Sequence, residues 1–274
     1  MGAIITLTTD FGLTDAYVAA MKGVILGINP DARLVDICHT IRPQNIPQAA
    51  FILSTAYQFF PEKTIHVVVV DPGVGTGRRA VILRTPSADF VAPDNGVLGY
   101  IIEQYAKEPS ESNTDPQQRE LTPEVSAVVI TSPKFWRSPV SPTFHGRDIF
   151  APVAARLSLG MAPSEFGEKT TSLTILPALH PKTTPDGSLV GCILHIDNFG
   201  NLITNIRAED LPQTKQPVTI EIGNQIIHGL SRTYAEGVEL LALIGSSGYL
   251  EVSVREGSAR DFLNVDVGDE LKIR

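Results

Sequence analysis

Thr64-Ile65-His66-Val67-Val68-Val69-Val70-Asp71-Pro72-Gly73-Val74-Gly75-Thr76-Gly77-Arg78 is the stretch on which the fold turns. Thr64–Val70 is a nearly continuous β-branched run, the composition of a strand covered on both faces. It ends on an acidic residue and a glycine-rich turn, and another strand at Ala80–Arg84 follows. Upstream, Ile4–Thr9 and Leu34–Cys38 read as strands. Between them Ala16–Ile28 has helical character and stops at Asn29-Pro30, because proline disfavours helical geometry in the residue before it. Ile46–Phe60 reads as a helix ended by Pro61. Downstream come a helix at Val97–Lys107, a strand at Val125–Thr131 and a helix near Asp148–Leu159. This alternation over Ile4–Leu159 predicts an α/β domain with a mostly parallel central sheet.

The stretch from Glu108 to Thr122 is polar and reads as an exposed loop inside that domain. From Met161 to Gly187 the composition changes, with Pro163, Pro177, Pro181 and Pro185. Beyond it lie short alternating strands at Leu189–Ile196, Val218–Ile222, Leu240–Ile244, Tyr249–Val254 and Glu270–Ile273. The expected organisation is an N-terminal α/β catalytic domain over 1–165, a linker over 166–187 and a smaller all-β, barrel-like C-terminal domain over 188–274.

Composition narrows the function classes. The chain has 274 residues and a net charge of −8, from 30 acidic and 22 basic residues. That balance argues against a broad nucleic-acid footprint and is compatible with a small cationic ligand. Cys38 and Cys192 are far apart, so neither a disulfide framework nor a cysteine zinc site is suggested. No apolar run approaches the ~20 residues of a membrane helix. The apolar stretch Ala3–Leu7 runs into Thr8-Thr9-Asp10 rather than a cleavage site, so a cytoplasmic chain is expected.

In an open parallel sheet ligands gather at the carboxyl ends of strands, and three polar clusters fall there. Asp10, in Thr8-Thr9-Asp10-Phe11-Gly12, can accept two hydrogen bonds from a ribose diol or cap the next helix, a task that suits Thr14 or Asp15 better. Asp71 and Arg78 bracket the glycine-rich turn. No Lys-Ser/Thr follows and a strand comes next, so a nucleotide-phosphate loop is not expected, and the pair is either a site or a brace for the loop. His145, in Thr143-Phe144-His145-Gly146-Arg147-Asp148, precedes a helix whose positive end favours neutral imidazole, the form that accepts a proton from water. A capping or core histidine is the alternative. No His-x-x-x-His pair supports a metal site. In the C-terminal part, Asn201 has the donor and acceptor for an adenine edge and Phe199 a face to stack on a flat ring, although a turn joining two strands explains Asp197–Asn201 equally well.

Taken in order, Thr-Thr-Asp10-Phe-Gly, Asp71-Pro-Gly-Val-Gly with Arg78, Phe-His145-Gly-Arg-Asp, Asp197-Asn-Phe-Gly-Asn201 and Ser246-x-Gly-x-Leu-Glu251 resemble the S-adenosyl-L-methionine (SAM) hydroxide adenosyltransferases, or SAM hydrolases. The resemblance implies that water displaces methionine from the 5′ carbon of SAM, giving adenosine and L-methionine, with SAM as substrate and neither cofactor nor metal. It implies a homotrimer in which an N-terminal domain and a neighbour's C-terminal domain enclose the substrate. Asp71, Arg78 and His145 would hold and polarise the water, with His145 the base. Asp10 would meet the ribose, Asn201 and Phe199 the adenine, and Asp197 and Ser246 the methionine portion, with Glu251 nearby. The sequence departs from the pattern at Ser247, where halogenating relatives have arginine, and at Arg255, where many hydrolases have asparagine. Those halogenases also tend to have tyrosine at the position of Asp71 and Tyr-Ser in place of His145-Gly146, which favours water here. A binding module without turnover is the other alternative.

Overall fold

In the computed structural model, which describes residues 2–106, 116–177, 179–212, 217–237 and 239–274, the chain forms two compact units, Met1–Pro177 and Ala178–Arg274. The first contains strands β1 (Ile4–Thr9), β2 (Arg33–Cys38), β3 (Thr64–Val69), β4 (Ala80–Arg84), β5 (Ala88–Pro93), β6 (Gln117–Glu120), β7 (Ser126–Ile130), β8 (Gly167–Thr170) and β9 (Ser172–Ile175). Its helices are α1 (Tyr17–Ile28), α2 (Ile46–Ala56), α3 (Gly99–Glu103) and α4 (Ala151–Leu157).

Seven strands make one sheet in the order β2-β1-β3-β5-β4-β7-β8. The four from β2 to β5 run parallel; β4, β7 and β8 join antiparallel. The run at Thr64–Val70 is the sheet's buried centre. Ile65, Val67 and Val69 enter one core with Met21 and Ile25 of α1 and Val153 and Leu157 of α4, whereas Val68 and Val70 enter a second with Leu53 of α2 and Ile101 of α3. Burying each such side chain stabilises the fold by roughly 1.5–3 kcal/mol, which fixes the register of the strand that delivers Asp71.

Several features differ from the sequence expectation. Strand β5 has no place in it, since Asp89 and Pro93 break the apolar pattern. In the hairpin Arg84 stands directly opposite Asp89 and binds it through Nε (2.7 Å) and Nη2 (2.6 Å), so the carboxylate tolerates burial. The polar stretch expected to be a loop contains β6, which pairs with β9; its residues 108–115 lie outside the described residues. The helix expected near Asp148–Leu159 is a π-helical turn, Gly146–Phe150, followed by α4. Pro152 has no N–H to offer the carbonyl of Asp148, and the backbone N–H of Arg137 donates to that oxygen instead (2.8 Å). Within 166–187, β8 extends the first sheet and β9 pairs with β6.

The second unit holds β10 (Lys182–Thr183), β11 (Leu189–Ile196), β12 (Leu202–Arg207), β13 (Thr219–Ile222), β14 (Gln225–His228), β15 (Leu240–Ile244), β16 (Tyr249–Val254) and β17 (Glu270–Ile273), with one short helix, α5 (Ala259–Leu263). The strands follow the order β14-β13-β17-β11-β12-β16-β15, all antiparallel, and β14 comes back into contact with β15. The sheet is thus nearly closed and barrel-like around Ile193, Leu202, Ile206, Ile220, Leu250 and Ile273.

Candidate active site

Asp71 is the second residue past β3, and the end of that strand is pinned where Asn95 Nδ2 donates to the Val70 carbonyl (2.9 Å). The turn that follows is held by its own backbone: Val74 N donates to the Asp71 carbonyl (3.2 Å) and Thr76 N to that of Gly73 (3.1 Å). Arg78 therefore comes back over Asp71. Its Nε donates to Asp71 Oδ1 (2.8 Å), its Nη2 donates to Oδ2, and the guanidinium lies 5.2 Å from the centre of the Phe150 ring.

The same Nη2 lies 3.1 Å from Nδ1 of His145, so the three residues singled out in the sequence converge. Their side chains are largely covered, with Asp71 only 5% and Arg78 11% exposed. His145 stands just before the π-helical turn, and its side chain makes no capping bond there. Burial is the main cause holding its pKa below the ordinary value; the Arg78 charge adds to this, against Asp71 and Asp148, which pull the other way.

Arginine has no acceptor atom, so the His145 nitrogen facing it has to accept. The imidazole is then neutral with its proton on Nε2, and it presents a donor on its other side. In this arrangement His145 takes a proton only by changing tautomer and giving up the Arg78 bond, whereas Asp71 keeps unused lone pairs beside its two bonds to Arg78.

Asp148 escaped the sequence reading as an organiser of this loop. It is fully buried, accepts from Arg147 Nε (2.7 Å) and Nη2 (2.8 Å) and from the backbone N–H of Ser141 (2.9 Å), and so ties down both ends of the segment that carries His145. Its signal was the Arg-Asp pair itself, which local pattern cannot tell from a solvated helix start. Phe144 adds an aromatic cluster with Phe11 (5.7 Å between ring centres) and Tyr17 (5.1 Å). Through Phe11 it joins the loop of Asp10, whose Oδ2 accepts from Gln44 N (2.8 Å).

In the second unit Asp197 organises a turn. Its Oδ1 accepts from the backbone N–H groups of Phe199 and Asn201 (2.9 Å each), and its Oδ2 from Asn201 Nδ2 (2.9 Å). Asn201 is buried and keeps its carbonyl oxygen and one N–H, while the Phe199 ring is 75% exposed, an open stacking face. Ser246 and Ser247 are exposed in the turn between β15 and β16, and Arg255 is exposed just beyond β16. Glu251 is buried; its Oε1 accepts from Tyr234 Oη (2.7 Å) and Ser253 Oγ (2.9 Å). Hydrogen bonding to Glu251 is the main reason that the Tyr234 phenol is pushed up to about 12, with Asp197 adding to it. Tyr234 was not foreseen, since no local pattern links it to Glu251. Among the described residues no group of three or more His, Cys, Asp or Glu is gathered as a metal site, and no helix is long and apolar enough to cross a membrane.

A two-unit chain with a half-parallel sheet, a barrel-like second sheet and an Asp–Arg–His cluster at a strand's carboxyl end defines a class recognisable by comparison. The family models for the SAM hydroxide adenosyltransferase N-terminal and C-terminal domains match residues 5–167 and 191–272, and the chain belongs to that family. Among its relatives is the (R)-S-adenosyl-L-methionine hydrolase of Thermus thermophilus, 36% identical over 97% of this chain and 97% of that protein. Its counterpart in Methanocaldococcus jannaschii is 33% identical over 98% and 95%. A fluorinase of Nocardia brasiliensis is 27% identical over 99% and 96%. The crystal structure of an uncharacterized conserved protein from Thermotoga maritima superposes with a TM-score of 0.85 at 34% identity, covering 98% of this chain and 99% of that one.

Proposed function

We propose that this protein hydrolyses SAM to adenosine and L-methionine, with Asp71, Arg78 and His145 holding the attacking water. The observation that carries this reading is the convergence of those side chains in a chain similar over its whole length to SAM hydrolases. The water oxygen bonds to the 5′ carbon as the carbon–sulfur bond breaks. Both electrons of that bond go to sulfur, which leaves as the neutral thioether of methionine, and one water proton is released. A sulfonium is a good leaving group, so the enzyme's task is to set a partly desolvated water in line and give its proton a path.

The geometry favours a division of labour. Arg78 fixes Asp71 and sets the tautomer of His145; Asp71, the one anion of the three, accepts a hydrogen bond from the water and is the first station for its proton. His145 directs its Nε2–H at the oxygen and helps to hold it in line. Substrate binding falls to Asp10 for the ribose, Asn201 and Phe199 for adenine, and Asp197, Ser246 and Glu251 toward methionine. The same reading carries a cytoplasmic homotrimer that works without a metal; light scattering and activity in excess chelator test those two parts.

The test of the reaction is incubation with SAM in ¹⁸O-water and mass analysis of the adenosine. Label in the 5′ hydroxyl is expected. Unlabelled adenosine, no adenosine, or a requirement for halide would overturn the proposal.

A further inference from the structure

Beside the Asp10 loop runs a chain of polar groups, buried at Thr9 and His39 and reaching the surface at Asp36, that the reaction scheme above does not use. Strands β1 and β2 lie parallel, and their register shifts between Leu7 and Thr8, so that Leu7 pairs with Asp36 and Thr8 with Cys38. The slip leaves Thr9 and His39 side by side where the two strands end. Thr9 Oγ1 and His39 Nδ1 are 2.8 Å apart, both residues are buried, and Asp36 Oδ1 lies 3.0 Å from His39 Nε2. Asp36 is in turn bound through Oδ2 by Lys22 Nζ of α1 (2.6 Å).

The direction of each bond follows from the donors available. Phe11 N–H donates to Thr9 Oγ1 (3.3 Å), so the hydroxyl's own proton is free to go to His39 Nδ1. His39 is then protonated on Nε2, facing Asp36. The Phe11 amide and the Thr9 hydroxyl thus donate in sequence toward His39, whose Nε2 faces Asp36 Oδ1 at 3.0 Å as a close polar contact rather than an aligned hydrogen bond. The His39 backbone takes part as well, since its carbonyl accepts from Gly12 N (2.7 Å), where Gly12 turns with φ +72°. Side chain and main chain of one residue thus grip the loop on both sides of Asp10, while Gln44 N holds Asp10 Oδ2 from across the loop and leaves Oδ1 unengaged by that bond.

We propose that His39 is a positioning residue for the substrate's ribose: the Asp36–His39–Thr9 relay sets the Asp10–Phe11–Gly12 loop so that the Asp10 carboxylate meets the two sugar hydroxyls. The inference rests on the functional reading above. His39 touches no substrate; it acts through Thr9 and Gly12, and the binding of the sugar is what depends on it.

The test is steady-state kinetics of His39→Phe, His39→Asn and Thr9→Val on SAM and on a SAM analogue lacking both ribose hydroxyls. Phe keeps the bulk without the polar atoms, Asn returns an acceptor near the place of Nδ1, and Thr9→Val removes only the hydroxyl. Losing a buried hydrogen bond of this kind should raise KM for SAM about tenfold in His39→Phe and Thr9→Val with kcat within about threefold, and Asn should recover most of the loss. With the analogue the penalty should shrink to under about twofold, because Asp10 has nothing to meet. An unchanged KM, or an equal penalty on both substrates, overturns the proposal by reducing His39 to a fold brace. If His39→Phe does not fold, Thr9→Val decides alone. A wild-type protein that leaves SAM intact overturns the functional reading instead, and the same variants are then compared for binding of adenosine against 2′,3′-dideoxyadenosine by calorimetry.

Discussion

Gly75 packs against the backbone of Pro142 so closely that a β-carbon at Gly75 would stand 2.3 Å from the Pro142 carbonyl oxygen. The loop that delivers Asp71 and Arg78 meets the loop that delivers His145 at this point. Two segments more than sixty residues apart are brought together by an absent side chain, and the 3.1 Å approach of Arg78 to His145 depends on it.

Gly75→Ala should therefore separate the two loops. The residue has φ +76°, so alanine meets backbone strain as well as the collision, a cost of about 1–3 kcal/mol. Turnover of SAM should fall at least about tenfold, and urea denaturation should show the loss of stability. Gly77→Ala is the control, because a β-carbon there meets nothing within 4 Å. Equal behaviour of the two variants would refute the role given to the contact.

Arg78 both binds Asp71 and depresses the pKa of His145. Arg78→Met should raise the His145 pKa, followed by NMR titration of its ring protons, and lower kcat by about a hundredfold or more, a typical cost for losing a group that orders the reacting atoms. Arg78→Lys keeps the charge but not the planar fork that reaches both Asp71 oxygens and His145 together, so it should restore the depressed pKa in part and little of the activity. A lysine variant of full activity would show that charge alone suffices.

His66 is buried at the centre of the sheet, stacked on Phe90 (5.1 Å between ring centres) and bonded through Nδ1 to Thr6 Oγ1 (2.8 Å). Burial lowers its pKa from 6.5 to about 4. The unfolded chain then binds the proton more readily than the folded one, so this residue costs no stability above pH 6.5, and stability is lost as pH falls from 6.5 toward 4, by roughly 3 kcal/mol in all. His66→Phe should flatten that part of the acid limb in denaturation curves taken between those limits, at some cost near neutrality from the unpaired Thr6 hydroxyl. An unchanged acid limb would mean that other groups dominate it.

The Tyr234 phenol, held up to about 12 by its bond to Glu251, should ionise well above the ordinary tyrosine range. The difference in ultraviolet titration between wild type and Tyr234→Phe isolates it from the other tyrosines. Glu251→Gln should bring it back toward 10 by weakening that hydrogen bond and removing the carboxylate charge. A phenol that already titrates near 10 in the wild type would remove the reason to place Glu251 and Tyr234 in one unit.

Much of this was legible in the chain because it rests on local pattern. The β-branched run at Thr64–Val70 announced a strand with two dry faces, and the elements around it followed from periodicity and proline stops. What stayed hidden depends on partners distant in sequence or on backbone direction. Strand β5 was masked by Asp89, whose neutralising Arg84 faces it only once the hairpin closes. The π-helical turn needs the Arg137 amide, from outside the helix, to take the Asp148 carbonyl. Of the candidate site, the grouping of Asp71, Arg78 and His145 was readable from their motifs, and the structure brings the three together. The tautomer of His145 was not, because it is set by which nitrogen meets a guanidinium from another loop. The helix-end argument for a neutral imidazole reached the same protonation state by a different cause from the burial and the Arg78 charge seen in the structure.

The close approach of Gly75 to Pro142 is made by backbone, as are the turn hydrogen bonds around Asp71, and Arg78 adds a bridge between the side chains at 71 and 145. Scaffold and proposed reagent thus form two layers: the loop backbones make a socket, and the side chains at 71, 78 and 145 are fittings within it. Such a socket can be refitted for another nucleophile one residue at a time without dismantling the sheet beneath. Position 146 is tight but not closed, since a β-carbon on Gly146 comes within 3.2 Å of Met21 Sδ and 3.3 Å of the Phe144 ring, side chains that need give by only a few tenths of an ångström. A change at 145 made together with its neighbour therefore calls for a small repacking of the Met21, Phe144 and Phe11 side chains, with the backbone of α1 left in place.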